Sequence, residues 1–267
     1  MRTAVRSVLV VIGIAATAVM GPAQVSLAAV NQHDFAIASV LPARGQVVGV
    51  AHPVVLTFTG PVANRRAAER AIALKSAPAM TGRFGWLGSD VVQWVPDRFW
   101  PPHSRVALSV RGMATDFQTG PAVVGIAKIS EHTFTVKIDG VETGTSPALP
   151  APHHRPHYGE DGVMPASMGK AQFPTPVGSY TVLAKRRSVI MDSSSVGIPV
   201  DDPEGYRLTV DYAVLITSRG LYVHSAPWAV QAMGAENTSH GCISLSPADA
   251  EWYYNTVNIG DPVIVQE

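Results

Sequence analysis

The strongest restriction on this chain is its punctuation. Apolar runs of strand length are cut repeatedly by turn residues, with 23 Gly and 21 Pro among 267 residues. Val54–Thr59 stops at Gly60-Pro61, Val91–Val95 at Pro96-Asp97, and Val106–Val110 ahead of Gly112. Gly85–Asp90 reads as a hairpin connection. Pro withholds a backbone donor and Gly resists ordering, so each marks where an element ends. This spacing predicts a small antiparallel sandwich over roughly residues 34–125. Arg65–Ala73 (RRAAERAIA) fits either a short helix or a loop plus strand. No cluster of potential catalytic side chains falls in this part, which reads as a spacer or positioning module.

From about Lys128 the pattern stays strand-rich. Thr133–Ile138, Gly178–Leu183, Tyr212–Thr217, Leu221–His224 and Pro262–Gln266 are expected strands, with Thr217–Gly220 as a hairpin turn. One helix signal is clear. Ser246 can cap, Pro247 suits the first helical position, and Asp249 lies where the dipole favours an acid, so a helix to about Val257 is expected. Met191–Tyr206 (MDSSSVGIPVDDPEGY) is a long polar loop of the kind used as an active-site lid.

The first thirty residues are not read as fold. Arg2 and Arg6 precede an apolar run from Val8 to Met20, followed by Gly21-Pro22 and the small residues Ser26–Ala29. This is the pattern of a secretory signal cleaved after Ala28 or Ala29. The run is short of the ~20 residues that span a bilayer comfortably. An uncleaved N-terminal anchor is the alternative, and contact with a membrane is expected only in that case. The parts are thus a signal peptide at 1–29, an immunoglobulin-like sandwich at 30–126 and a second, chemistry-bearing domain at 127–267.

Composition removes several functions. Lys+Arg and Asp+Glu both number 20, so no basic field exists to hold nucleic acid. With 46% hydrophobic and 15% charged residues, wholesale disorder is excluded. A single cysteine excludes an intrachain disulfide, hence a disulfide-pinned immunoglobulin domain, and any CxxC zinc or redox site. His153, His154 and His157 stand among prolines in Ala148–Tyr158 with no Cys nearby. They read as a solvated loop rather than metal ligands, and no metal is expected.

In an exported chain a lone thiol is either buried and inert or kept for chemistry. The neighbourhood of Cys242 favours chemistry. It follows Ser239-His240-Gly241, and His224 ends an expected strand upstream. A thiol attacks as thiolate, and an adjacent imidazole, here expected to ionise it at rest, can take its proton. Gly241 permits a tight turn, and the N–H groups of Gly241 and Cys242 are candidate oxyanion donors. The residues alone do not rank His224 against His240 as base. No organic cofactor is required, since thiol and imidazole supply both covalent and proton-transfer steps.

Ser239-His240-Gly241-Cys242, with His224 fourteen intervening residues ahead of Ser239, resembles the signature of the L,D-transpeptidases that cross-link peptidoglycan. Met164–Lys170 and Pro174–Tyr180 resemble the opening of the same catalytic domain, and His224–Trp228 and Ile190–Ser194 its mycobacterial branch. That branch has a preceding immunoglobulin-like domain, so the resemblance implies a mainly β chain whose second part is the catalytic β-sandwich. It implies Cys242 as nucleophile, His224 as base and acid oriented by the Ser225 carbonyl, and His240 as a support for the thiol. Tyr206 would lend its hydroxyl to substrate or oxyanion, and Arg219 and Gly220 would line the donor groove. Met191, Ser239 and Ser244 join the expected substrate contacts. Trp228 is expected to pack under the site. The family commonly has Asn where Ser244 stands, which bears on substrate positioning. The implied partners are peptidoglycan stem peptides, a tetrapeptide donor and an amine acceptor, with carbapenem-type β-lactams as covalent inhibitors. The implied location is the periplasm or cell wall. A cysteine hydrolase of wall peptides and a non-catalytic wall-binding protein are the alternatives.

Overall fold

A computed structural model describes residues 36–110, 112–144, 160 and 162–267. The expected signal segment and His153, His154 and His157 lie outside the described residues.

The first unit holds β1 (Ile37–Leu41), β2 (Val47–Val48), β3 (Val54–Phe58), α1 (Arg65–Ile72), β4 (Lys75–Ala77), β5 (Gly82–Trp86), β6 (Val91–Pro96), β7 (Arg105–Val110) and β8 (Met113–Thr119). They form two sheets, β1-β3-β6-β5 and β2-β8-β7-β4. Leu56, Phe58, Val92 and Trp94 from one sheet meet Val106, Leu108, Val110 and Phe117 from the other, around Trp100. Trp100 meets Phe117 edge-on at 5.5 Å. Residues 65–72 take the helical alternative. The Asn64 side chain accepts from the Ala67 amide, and Ala68 and Ile72, one turn apart, bury the same face.

The second unit holds β9 (Val123–Lys128), β10 (Thr133–Ile138), β11 (Val141–Thr143), β12 (Val163–Ser167), β13 (Gly178–Thr181), β14 (Ala184–Asp192), β15 (Arg207–Leu215), β16 (Tyr222–Ser225), β17 (Ile243–Leu245), α2 (Pro247–Thr256) and β18 (Pro262–Gln266). The sheet runs β13-β18-β9-β10-β12-β17-β16-β15-β14, with β11 on β10. Because β9 pairs with β10 and β18, this sheet begins at Val123, ahead of the expected boundary at residue 127. Its core gathers Phe134, Met164, Met168, Ile243, Leu245 and Tyr253. On α2, the Ser246 hydroxyl accepts from the Asp249 amide and donates to its carboxylate at 2.7 Å.

Two features position the site. The first is that β16 and β17 pair in parallel, with His224 opposite Ser244. Parallel neighbours need a crossover of a dozen or more residues. This accounts for the long interval between His224 and Ser239: the chain must travel out and return in the same direction. It re-enters at Cys242, one residue before β17.

The second is the β14–β15 ribbon. In place of the strand expected at Tyr212–Thr217, β15 starts at Arg207 and stops at Leu215, because β14 and β15 pair from Asp192↔Arg207 to Ala184↔Leu215. Pairing breaks only at Arg187 and Tyr212, where Tyr212 adopts φ of 52°. Such a break bends a ribbon, and Tyr206 and Ile216, which flank the two ends of β15, line one cavity.

Candidate active site

The turn carrying Ser239–Cys242 is built by hydrogen bonds before any chemistry is considered. Gly241 has φ of 114°, a backbone conformation side chains avoid. The Ser239 hydroxyl accepts from the Gly241 amide at 3.1 Å and donates to the Cys242 carbonyl at 2.6 Å. From below, the buried Thr175 hydroxyl donates to the Gly241 carbonyl at 2.7 Å and accepts from the Gly169 amide at 2.8 Å. Lys170 N–H bonds the Ser239 carbonyl at 3.0 Å. One expectation is corrected here. The Gly241 N–H is spent on Ser239 and is not free for an oxyanion.

Cys242 is half-buried, its Sγ 3.8 Å from the Gly220 carbonyl. Burial pushes its thiol up to about 11, against a smaller pull from a Tyr222 backbone hydrogen bond. His224 is only 4% exposed, and burial lowers its pKa. Its Nδ1 lies 2.8 Å from the Ser225 carbonyl, which can only accept, so Nδ1 carries the proton and Nε2 is left as an acceptor. Both shifts oppose a resting ion pair. In direction, both run against the expectation of a sulfur already ionised at rest.

His240 is placed differently. Its Nε2 lies 2.9 Å from Glu204 Oε2. Glu204 also binds Lys170, and that ion pair first, then His240, holds its carboxyl below the usual range. An ionised carboxylate only accepts, so His240 Nε2 carries hydrogen and has no lone pair for the thiol. Its ring meets those of Phe173 and Tyr206, at centroid distances of 4.6 and 5.1 Å. Each histidine thus spends one ring nitrogen on a fixed acceptor, His224 its Nδ1 on the Ser225 carbonyl and His240 its Nε2 on Glu204.

Cys242 opens onto a cavity of about 720 Å³. Tyr206, Arg219, Gly220, His240 and Gly241 line it, together with apolar Phe173, Tyr180, Ile198 and Leu221. Three expected substrate contacts are absent from its wall. Met191 is a β14 residue paired with Leu208. Ser239 lies beneath the turn it braces. Ser244 is buried in β17 between Ser167 and His224. His224 and Ser225 are likewise buried in β16 rather than on the wall. Trp228 does not pack beneath the site: it is 57% exposed, its ring 6.2 Å from that of His224. Thr175, Lys170 and Phe173 were in or near the motif runs, but nothing in their spacing marked a role. Glu204 was hidden in an acidic lid.

An immunoglobulin-like sandwich followed by a β-domain with a Ser-His-Gly-Cys turn at a cavity defines a two-part wall-enzyme architecture, and comparison supports both parts. Residues 13–115 match the bacterial Ig domain family, and residues 152–265 match the L,D-transpeptidase catalytic domain. Probable L,D-transpeptidase 3 of Mycobacterium tuberculosis is 72% identical over the whole of both chains. The crystal structure of L,D-transpeptidase 3 from that organism with a faropenem-derived adduct is 75% identical, with a TM-score of 0.82 over 87% of this chain and 99% of that one. A structure of an LD transpeptidase in complex with imipenem is 48% identical, with a TM-score of 0.77 over 87% of this chain and all of the other. The chain belongs to the L,D-transpeptidase family, enzymes that make peptidoglycan cross-links. Membership removes the non-catalytic alternative. It also implies export, since peptidoglycan is built outside the cytoplasm. Among the described residues no helix is long and apolar enough to cross a membrane.

Proposed function

We propose that the chain forms 3→3 peptidoglycan cross-links through a thioester on Cys242. The observation that carries this reading is the parallel β16–β17 pairing. It sets His224, with Nε2 free, beside the strand that Cys242 enters at the cavity. A tetrapeptide stem enters with the carbonyl of its third residue at the sulfur. As the S–C bond forms, the thiol proton passes to His224 Nε2. Charge on the carbonyl oxygen is met by donors other than Gly241, namely the Cys242 N–H and the Tyr206 hydroxyl. The C–N bond then breaks, and His224 returns the proton to the departing D-alanine amine. The amine of a neighbouring stem attacks the thioester, gives its proton to His224, and expels the sulfur, which recovers it. Arg219 and Gly220 hold the donor, and the apolar wall keeps water from the thioester. Met191 and Ser244 act by supporting the ribbon and the His224 strand.

Penem and imipenem complexes of relatives support acylation of the same thiol by carbapenem-type β-lactams. The segment 1–29 serves as a signal removed after Ala28 or Ala29, which would be read by sequencing the mature N-terminus; a chain still starting at Met1 overturns cleavage. The reaction is tested by incubating the enzyme with a disaccharide-tetrapeptide and resolving products by mass. A cross-linked dimer with released D-alanine is expected. Tripeptide and D-alanine without dimer would make the enzyme a hydrolase.

A further inference from the structure

The lid, residues 193–206, is a self-contained fold. Ser193 N–H bonds the Tyr206 carbonyl and the Ser193 hydroxyl accepts from the Tyr206 amide, both at 3.0 Å, closing its base. Asp192 caps the single turn Ser193–Val196. Asp202 holds the Glu204 amide at 2.8 Å, and a Cβ on Gly205 would lie 2.2 Å from the Pro199 carbonyl oxygen, so the loop is packed on itself. Out of this unit Glu204 alone is seen to extend a charged group to the catalytic turn, among the described residues. Its carboxylate meets Lys170, which neighbours Ser239 through its backbone, and His240 Nε2. The residue two places on, Tyr206, has its ring 5.1 Å from that imidazole.

We propose that Glu204 is a positioning residue that latches the lid to the catalytic turn through His240, so that the Tyr206 ring and the His240 ring stand together at the cavity beside Cys242. The inference rests on the function proposed above. His240 contributes by structure rather than by taking the thiol proton: its Nε2–H is the catch and Glu204 the hook. Asp202 and Lys170 are the other charged groups facing Glu204. Lys170 keeps the hook ionised, and Asp202 orders its backbone. Without the carboxylate, the lid keeps its internal bonds but loses its registration on the turn.

The test uses the full-length enzyme and the rate of adduct formation with faropenem, followed by intact mass. Glu204→Ala should slow acylation about tenfold, while Glu204→Gln, which keeps an acceptor oxygen for His240, should recover most of the rate. Half-exposed ion pairs contribute little stability, so the melting temperature should hardly move in either variant. The decisive reading is a double-mutant cycle with His240→Ala. If Glu204 acts through His240, the tenfold loss largely disappears in the His240→Ala background. Equal losses in both backgrounds, or a wild type no faster than Glu204→Ala, would overturn the latch alone. A wild type that takes no adduct would overturn the proposed function and the latch with it.

Discussion

Individual side chains at this site are tuned against early ionisation. With the Cys242 thiol raised to about 11 by burial and His224 lowered by the same cause, neither partner favours its charged form in the free enzyme. Ultraviolet titration of thiolate should show none at neutral pH and growth only in strong alkali; a neutral-pH signal that His224→Ala removes would contradict this. The depressed His224 also places the acid limb of the acylation profile below the usual histidine value of 6.5, because the reactive neutral ring survives further into acid. His224→Ala itself should slow acylation by about 10²–10⁴, the range for a positioned base. At this scale the sequence was partly legible. Cys242 and its two histidines stood out by type and spacing. Their ranking was not, since it depends on which nitrogen faces which acceptor. The Glu204–His240 contact joins residues far apart in the chain, so no local pattern could announce it.

Elements explain why the site holds its shape. The catalytic turn is braced by Thr175, whose one hydroxyl satisfies both the Gly241 carbonyl and the Gly169 amide. Thr175→Val keeps the volume but leaves both backbone groups unpaired, at a cost of about 1–3 kcal/mol. Denaturant unfolding should record that loss, with acylation slowed as well; unchanged values in both would show the brace to be dispensable. Strand positions were readable where turn residues bound the run, as at Thr133–Ile138 ahead of Gly140 and Pro262–Gln266 after Gly260. The helix at Pro247–Thr256 was readable from its cap. What could not be read was β14, whose AKRRSVIMD carries no apolar alternation. Its partner β15 and its place at the sheet edge support it instead. The parallel pairing of β16 with β17 is a tertiary fact, visible beforehand only as an unexplained interval.

At the scale of the molecule, the two units are joined by backbone rather than by a loose linker. The Gly49 and Ala51 amides bond the Ile259 and Gly260 carbonyls, both at 2.8 Å, and Asp261 receives the Val50 amide at 3.3 Å. Gly260 has φ of 96°, and a Cβ there would lie 2.6 Å from that of His52. Gly260→Ala should lower stability by about 1–3 kcal/mol from backbone strain, seen as a depressed melting temperature. Burial raises Asp261 to about 7 from an ordinary 3.8, so the folded chain binds its proton more tightly than the unfolded one. Its contribution is complete below pH 4 and is lost as pH rises through 7. Relative to wild type, Asp261→Asn should lack this decline; parallel pH curves would contradict it. Domain order was legible in the sequence, but this junction was not, because glycines that permit close approach look like ordinary turn residues. Catalysis here turns on one sulfur, and intact mass after incubation with a synthetic tetrapeptide stem reads its acylation. Wild type should gain the stem mass less one D-alanine and Cys242→Ala nothing; the same adduct on the Cys242→Ala protein would rule out Cys242 as the nucleophile.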